Sequence, residues 1–333
     1  MSVMRYIVYG AGAIGATIGG KLHQAGHEVA LIARGEHLER LRADGLQLLG
    51  PDEDARLRVA AFDTPAAAEP QPGDVVVLAM KSQDTSRALE ELVRIERSEQ
   101  LVVVCAQNGV ENERVALRLF PHVYGMFVYL AAEHLSPGVV TAFSSPCVGA
   151  LDLGRIPQGA DATAEQIAGQ LCDAGFSARA VPEIMQWKYA KLLSNLANAI
   201  GAILGPHAED EAPAERARQE ALSCFRAAGI AFVDRHEVAE RTAVISAPRA
   251  VHDHEHSGSS SAQSLQRRTG GIESDYLNGE IVLLGRSHAV ATPVNTALAR
   301  LARRMAREGL QPGDLGERAV EEEIAAAEAR GAV

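Results

Sequence analysis

A glycine-rich turn near the N-terminus follows directly on an apolar segment. Tyr6 to Tyr9 has the aromatic and β-branched composition of a short strand. Gly10, Gly12 and Gly15 follow it with the spacing G-x-G-x-x-G. In a strand-turn-helix unit the first glycine allows a tight turn, the second lets backbone approach a pyrophosphate, and the third lets the helix pack on the strand. The segment therefore predicts a dinucleotide-binding α/β unit.

The residues after the turn support this interpretation and refine the nucleotide. Ala16 to Ala25 has the small-residue content of a closely packed helix, and Glu28 to Ile32 predicts a second strand. Where this strand ends, an NAD site places a carboxylate on the ribose 2′-hydroxyl. This chain has Arg34 there, and a guanidinium forks onto a 2′-phosphate. Arg34 therefore predicts NADP(H), with an ordinary solvated arginine as the alternative.

Composition limits the other classes of partner. The net charge of -11 disfavours nucleic acid and anionic membrane surfaces, and no segment has the roughly 20 consecutive apolar residues of a membrane-spanning helix. The four cysteines have no disulfide or metal-ligand spacing, and the early strand leaves no room for a signal sequence. We therefore expect a cytoplasmic protein that binds small molecules and neither nucleic acid nor membranes. A homodimer is the only oligomer considered.

Strand and helix patterns alternate through the first half of the chain. The runs from Asp74 to Ala79 and from Leu101 to Val104 have the Val and Leu content of parallel strands buried on both faces. This alternation predicts a Rossmann-like doubly wound sheet. From Val123 to about Leu153 the chain is β-rich around a Pro137-Gly138 turn, which predicts antiparallel strands appended to that sheet.

Helical segments rich in Ala, Leu, Glu and Arg replace the strands after Pro182, which suits the first turn of a helix. We therefore predict an α/β plus all-α fold. An NADP(H)-binding domain is expected over residues 1–182 and a helical substrate and catalytic domain over residues 183–333, with a tail that frays after about residue 318. The domain boundary is placed at Pro182.

A histidine-rich stretch lies within the second half. His252, His254 and His256 occupy alternate positions ahead of a Ser/Gly-rich segment. They could ligate a metal, but a solvated loop is the preferred interpretation because no further ordered ligand stands nearby. No metal is predicted.

Polar residues stand at the carboxyl ends of two predicted strands, where open α/β sheets bind ligands. Lys81, Ser82 and Gln83 follow the strand that begins at Asp74, and Asn108 follows the strand that begins at Leu101. Generic strand-to-helix turns are one explanation. Beside a dinucleotide turn we prefer a pocket wall, with Lys81 near cofactor phosphate or ribose and Asn108 near the nicotinamide.

A polar stripe marks the first predicted helix of the second domain. Lys191, Asn195 and Asn198 have the i, i+4, i+7 spacing that places side chains on one helix face. Asparagine is unfavourable inside helices, so the stripe predicts a binding face in preference to a water-facing one. Glu273 opens a later helix, where an acidic residue alone means no more than favourable first-turn charge.

The joint order of these motifs resembles the ketopantoate reductase (2-dehydropantoate 2-reductase) family. The resemblance extends from residue 6 to about residue 305. The motifs are Gly10-x-Gly12-x-x-Gly15, Arg34, Lys81, Gln107-Asn108-Gly109, Pro137-Gly138, the Trp187 helix with Lys191 and Asn195, Ser259-Ser260 with Gln263-Ser264-Leu265, and Glu273-x-Asp275-Tyr276-Leu277-Asn278-Gly279.

This resemblance implies a Rossmann domain followed by a helical domain of the 6-phosphogluconate dehydrogenase C-terminal type. It also implies NADPH-dependent reduction of a 2-oxo acid to a 2-hydroxy acid, with ketopantoate to pantoate in pantothenate biosynthesis as the best single expectation. A paralogous reductase of another 2-oxo acid and a non-catalytic NADP(H) sensor are the alternatives.

The resemblance also implies roles for individual residues. Lys191 corresponds to the catalytic lysine that donates a proton, and Glu273 to the glutamate that holds the substrate hydroxyl. Lys188 is the alternative lysine, and the serine register within Ser259 to Ser261 stays open. The substrate-binding residues implied are Asn108, Asn195, Asn198 and Ser260. The cofactor-binding residues implied are Gly10, Ala11, Gly12, Ala13, Ile14, Gly15, Arg34, Lys81, Gln83, Asn108 and Glu273.

Overall fold

A computed structural model describes residues 4–205, 212–256, 258–266 and 271–331. The chain folds into two compact units. The first unit comprises Met1–Lys188 with Asp234–His256, and the second comprises Tyr189–Val233 with Ser257–Val333. The predicted α/β plus all-α fold class is confirmed. These two units are defined by contacts, and their bounds differ from the predicted domain boundary at Pro182. The domain boundary itself stays a prediction.

The elements are as follows, with the strands first. The strands are β1 (Tyr6–Tyr9), β2 (Val29–Ile32), β3 (Leu46–Gly50), β4 (Glu53–Leu57), β5 (Ala60–Phe62), β6 (Val75–Leu78), β7 (Val102–Cys105), β8 (Val123–Tyr129), β9 (Ala132–Ser136), β10 (Val139–Ala142) and β11 (Ala150–Arg155). The helices are α1 (Ala13–Gln24), α2 (Gly35–Asp44), α3 (Thr85–Val93), α4 (Asn112–Leu117), α5 (Ala162–Asp173), α6 (Ile184–Asn195), α7 (Asn198–Leu204), α8 (Ala212–Ala228), α9 (Arg235–Thr242), α10 (Ser260–Gln266), α11 (Asn278–His288), α12 (Pro293–Glu308) and α13 (Glu317–Ala329).

The main sheet of the first unit has seven strands in the order β11-β8-β7-β6-β1-β2-β5. Six of these strands, β8, β7, β6, β1, β2 and β5, are parallel to one another. The seventh strand, β11, pairs antiparallel with β8. Taken along the chain, the parallel strands have the 3-2-1-4-5-6 order of a Rossmann sheet. β1 therefore lies centrally, and the turn after it emerges at the carboxyl edge, where such sheets bind ligands.

A second sheet of four strands has the order β4-β3-β10-β9. The Pro137-Gly138 turn joins β9 to β10 as an antiparallel pair, and β10 then pairs parallel with β3. The expectation of antiparallel strands appended to the main sheet from Val123 is correct for β11. It is wrong for β8, which pairs parallel with β7, and for β9 and β10, which belong to the second sheet. The pairing of β10 with β3 joins segments almost a hundred residues apart, which no local pattern specifies.

The second unit is helical throughout its described residues. Its apolar core is formed by α7, α12 and α13 with residues of α8 and α10. A buried polar network supports this core. The Glu220 carboxylate accepts hydrogen bonds from the backbone N–H groups of Val294 and Asn295, at 2.8 and 3.0 Å, and so caps the start of α12. Across the described ranges, none of the helices is long and apolar enough to cross a membrane.

An ion pair fastens α9 to the main sheet. Asp152 on β11 is fully buried, and its carboxylate accepts two hydrogen bonds from Arg241, at 2.6 and 2.7 Å. Arg241 also donates to the Ser177 hydroxyl and carbonyl. Arg179 adds one further bond to Asp152, at 3.0 Å. This bidentate contact is one of several that hold Asp234–His256 in the first unit, although the segment lies in sequence between the two parts of the second unit.

We predict that Arg241→Met lowers the free energy of unfolding by about 3 kcal/mol, because it leaves much of a buried carboxylate uncompensated. Arg179→Met is the matched control. Its side chain is 48% exposed, so its loss costs about 1 kcal/mol or less. Urea denaturation measures both, and hydrogen exchange in α9 should rise in Arg241→Met only. Equal effects of the two variants would contradict the prediction.

Candidate functional site

The glycine-rich turn connects β1 to α1 at the carboxyl edge of the main sheet. Gly10 has a φ of +100°, and a Cβ placed there would come within 2.6 Å of the Met80 nitrogen. A Cβ on Gly15 would come within 2.2 Å of the Gly10 carbonyl oxygen. A Cβ on Gly12, in contrast, would meet nothing within 4 Å. Packing therefore requires the first and third glycines, and the second leaves open space beside the turn.

Arg34 lies at the end of β2 as the residue that precedes α2. Its side chain is 75% exposed, and its Nη2 atom lies 3.6 Å from the Asp84 carboxylate. Asp84 also pairs with Arg87 at 3.1 Å. Asp84 was not predicted from the sequence, because it does not stand at the tip of β2. The fold brings this carboxylate in from the segment after β6.

The turns after β6 and β7 lie side by side. Lys81 precedes a short 3-10 helix, Ser82–Asp84, in which Gln83 is exposed. The Ser82 hydroxyl donates to the Asn108 carbonyl at 3.4 Å. Met80, next to Lys81, lies against the glycine-rich turn. The residues of the first unit that were predicted to bind the cofactor therefore lie at one edge of the sheet.

A buried polar network holds these two turns together. The Gln107 side-chain amide donates to the Thr85 hydroxyl at 2.6 Å, and the Thr85 hydroxyl donates to the side-chain oxygen Oδ1 of Asn112 at 2.7 Å. Asn112 in turn donates to the Ser82 hydroxyl at 3.1 Å. Networks of this kind are rigid when their members are paired. Sequence reasoning did not identify Thr85 or Asn112, which look like ordinary first-turn residues of α3 and α4.

Lys188 is buried inside the first unit. Its Nζ atom lies 2.5 Å from a Glu113 carboxylate oxygen and donates to the Gln107 carbonyl at 2.9 Å. The side chains of Lys188 and Glu113 are 3% and 0% exposed. Burial raises the pKa of Glu113, and the neighbouring Lys188 ammonium opposes that shift. Lys188 therefore links α4 to the turn that contains Asn108.

In the second unit Lys191 and Asn195 lie on α6, whereas Asn198 begins α7. The prediction of one continuous helix through these residues is wrong. The helix is interrupted after Asn195, where the Leu196 carbonyl accepts a hydrogen bond from the Asn278 side-chain amide at 3.2 Å. The Asn278 side chain thus satisfies a backbone carbonyl next to the break between α6 and α7. Lys191 and Asn198 are half-buried, and Asn195 is buried.

The predicted serine and glutamate lie on neighbouring elements of the same unit. The Ser259 hydroxyl donates to the Asn198 carbonyl at 3.2 Å and accepts from the Ala262 N–H at 3.3 Å. Ser261 is buried and Ser260 is half-buried, so the three serines of this run differ in their surroundings. Glu273 begins a 3-10 helix, Glu273–Tyr276, and is 9% exposed.

The histidine-rich stretch is held against the second sheet. His254 Nε2 lies 2.7 Å from a carboxylate oxygen of the buried Glu133, and His256 Nε2 lies 4.0 Å from the other. Both rings pack on Phe143. The stretch is a loop in which the His254 and His256 side chains remain 43% and 27% exposed, so the expected solvation is partial. Within the part of the chain that the structure describes, no group of three or more His, Cys, Asp or Glu residues is arranged to hold a metal ion.

The strand order and the turn after β1 define a Rossmann-type unit, which is followed by an all-helical unit. The chain matches the family model "Ketopantoate reductase PanE/ApbA" over residues 6–158 and "Ketopantoate reductase PanE/ApbA C terminal" over residues 183–306. It therefore belongs to the ketopantoate reductase family, a family of oxidoreductases whose chemistry is the reduction of a 2-oxo acid.

Individual relatives agree with this assignment. The chain is 30% identical to the 2-dehydropantoate 2-reductase of Archaeoglobus fulgidus over 318 residues, which cover 91% of this chain and 98% of the relative. It is 33% identical to that of Pyrococcus horikoshii over 202 residues, 60% of this chain and only 64% of the relative. A crystal structure of a PanE/ApbA family ketopantoate reductase from Ralstonia eutropha JMP134 superposes with a TM-score of 0.76 at 30% identity, covering 92% of this chain and 99% of that one.

We predict that Lys188→Met costs about 3 to 5 kcal/mol of stability, because it leaves the Glu113 carboxylate buried and unpaired. Burial alone then raises the pKa of Glu113, so the folded state holds its proton at pH values where the unfolded state has lost it. The variant is therefore most stable below the ordinary pKa of 4.5 and loses stability as the pH rises through the raised value. Urea denaturation between pH 4 and pH 8 measures this slope.

The double variant Lys188→Met with Glu113→Gln is the control for that slope. It has no buried carboxyl, so the pH dependence introduced by Lys188→Met should disappear and much of the stability should return. A slope that persists in the double variant would show that another group is responsible.

Proposed function

We propose that this protein uses NADPH to reduce a 2-oxo acid to a 2-hydroxy acid, with 2-dehydropantoate to pantoate, in pantothenate biosynthesis, as the best single reaction. The observation that carries the proposal is the open Gly12 turn beside Arg34, in a chain whose relatives are 2-dehydropantoate 2-reductases. The cytoplasm is the compartment in which we expect this reaction.

The first unit fits a dinucleotide. The N-terminus of α1 has no side-chain cap, and helix N-termini bind anions through backbone N–H groups. The empty space at Gly12 lets a pyrophosphate approach the turn. Gly10 to Gly15 would hold the pyrophosphate, with Arg34, Lys81 and Gln83 on the adenosine side.

Arg34 and Asp84 together bear on the choice between NADPH and NADH. The exposed guanidinium of Arg34 is suited to bind a 2′-phosphate at the end of β2. The nearby Asp84 carboxylate could instead accept a hydrogen bond from a ribose 2′-hydroxyl, which favours NADH as a second candidate. We infer NADPH because Arg34 stands at the strand tip itself, whereas Asp84 already pairs with both Arg34 and Arg87.

The chemistry proposed for the second unit is proton donation to a ketone oxygen. The cofactor, when bound, supplies the hydride. The Lys191 ammonium donates a hydrogen bond to the substrate ketone and gives up its proton as negative charge develops on that oxygen. Glu273 accepts a hydrogen bond from the substrate hydroxyl and orients Lys191. Asn108, Asn195, Asn198 and Ser260 bind the remaining carboxylate and hydroxyl groups as neutral donors.

We predict that Lys191→Ala lowers kcat by about 100- to 10,000-fold, the usual contribution of a general acid, while the Kd for NADPH changes less than about threefold. Stopped-flow assays and NADPH fluorescence titration measure the two quantities. Lys21→Ala is the control, since Lys21 pairs with Glu53 in the last turn of α1, at the opposite end of that helix from the glycine-rich turn, and should not affect either. Loss of NADPH affinity with kcat unchanged in Lys191→Ala would contradict the assigned role.

We predict that Arg34→Ala lowers the preference for NADPH over NADH by about 10- to 100-fold, because a charged bidentate contact is lost. The measurement is the ratio of kcat/KM for the two nucleotides. Arg42→Ala removes an exposed arginine in the last turn of α2, the helix that Arg34 precedes, and should leave the ratio unchanged. An unchanged ratio in Arg34→Ala would remove the 2′-phosphate argument and favour NADH.

A panel of 2-oxo acids separates the remaining alternatives. Wild-type protein should consume NADPH fastest with 2-dehydropantoate. Faster consumption with another acid would identify a paralogous reductase with the same mechanism. Tight NADPH binding without consumption across the panel would instead favour a non-catalytic sensor of NADP(H).

A further inference from the structure

His37 links two turns of the first unit. It lies in the first turn of α2, three residues after Arg34. Its Nε2 atom lies 2.7 Å from the carbonyl oxygen of Ala11 in the glycine-rich turn. Its Nδ1 atom accepts a hydrogen bond from the Gly138 N–H at 2.8 Å, in the turn between β9 and β10. The ring also packs against His134, with ring centroids 4.1 Å apart and the ring planes tilted by 51°.

These two contacts define the protonation state of the ring. A backbone N–H can only donate, so Nδ1 must present a lone pair to Gly138. A backbone carbonyl can only accept, so Nε2 carries the hydrogen and donates it to Ala11. His37 is therefore a neutral imidazole with both nitrogens in use. Burial lowers the pKa of His37, which agrees with a ring that stays neutral.

The bond to Ala11 sets the orientation of the peptide unit that leads into Gly12. In a trans peptide the carbonyl and the following N–H point in opposite directions. A carbonyl of Ala11 held toward His37 therefore directs the N–H of Gly12 away from it. The N–H groups of Gly10 and Ala11 both donate to the Ile32 carbonyl at the end of β2. The turn is thus fixed from both sides.

We propose that His37 is a positioning residue for the nucleotide site. Through its Nε2–H bond to Ala11 it orients the Gly12 N–H toward the pyrophosphate, and through α2 it holds Arg34 in register with that turn. This inference rests on the proposed function, because it assumes that the turn binds a dinucleotide.

Two variants separate the two nitrogens. In His37→Gln the side-chain amide can reach the Nε2 position and still donate to Ala11, but the acceptor for Gly138 is lost. In His37→Asn the side-chain oxygen can accept from Gly138, but no donor reaches Ala11. We expect the Kd for NADPH to stay within about threefold in His37→Gln and to rise about tenfold in His37→Asn, the usual effect of one hydrogen bond. KM for NADPH should follow Kd, while kcat at saturation stays unchanged.

A third variant and a measurement without ligand distinguish loss of the Ala11 hydrogen bond from loss of folding. His37→Met fills the same space without a donor and should match His37→Asn, so it replaces that variant should His37→Asn not fold. Hydrogen exchange of the segment from Gly10 to Gly15, without nucleotide, should rise in His37→Asn and His37→Met but stay at the wild-type rate in His37→Gln.

The outcomes are distinct. Equal losses in His37→Gln and His37→Asn, or no loss in either, would overturn the role of the Ala11 bond. If the wild type binds no dinucleotide, the proposed function fails instead. The exchange rates still test whether His37 orders the turn.

Discussion

The close packing of α1 on the ends of β1 and β6 is the constraint on which the candidate nucleotide site depends. A Cβ on Gly15 would collide with the Gly10 carbonyl, and a Cβ on Gly10 would collide with the backbone of Met80. The helix can therefore approach both strands only because these positions have no side chain. Arg34 and Lys81 follow the neighbouring strands β2 and β6 at the same edge. Their placement at this edge is a consequence of the parallel pairing of β2 and β6 with β1.

Buried polar networks do the remaining positioning, and each unit has its own. In the first unit the Gln107, Thr85 and Asn112 side chains hold the turns after β6 and β7 in one arrangement. In the second unit Asn278 links the Leu196 carbonyl to Asn295. Because an unpaired polar group in such a place is costly, each network restricts the backbone that carries the candidate residues. The turns that carry these residues are thereby held in one arrangement.

Much of this architecture could be predicted because it depends on local patterns. The strands around Val8, Val77 and Val104 are continuous apolar runs, and the glycine spacing specifies the turn. What could not be predicted depends on contacts between distant segments. The pairing of β10 with β3, the contact of Arg241 with Asp152 and the approach of Asp84 to Arg34 join residues about 50 to 100 positions apart.

Two lysines on α6 show why spacing alone cannot identify a proton donor. Lys188 and Lys191 are three residues apart and have similar sequence surroundings. A proton donor must lose its charge in every cycle and regain it from solvent. If Lys188 lost its proton, the buried Glu113 carboxylate 2.5 Å away would be left uncompensated. The position of Glu113 on α4 therefore gives Lys188 a structural contact, which supports the proposal that the half-buried Lys191 is the proton donor.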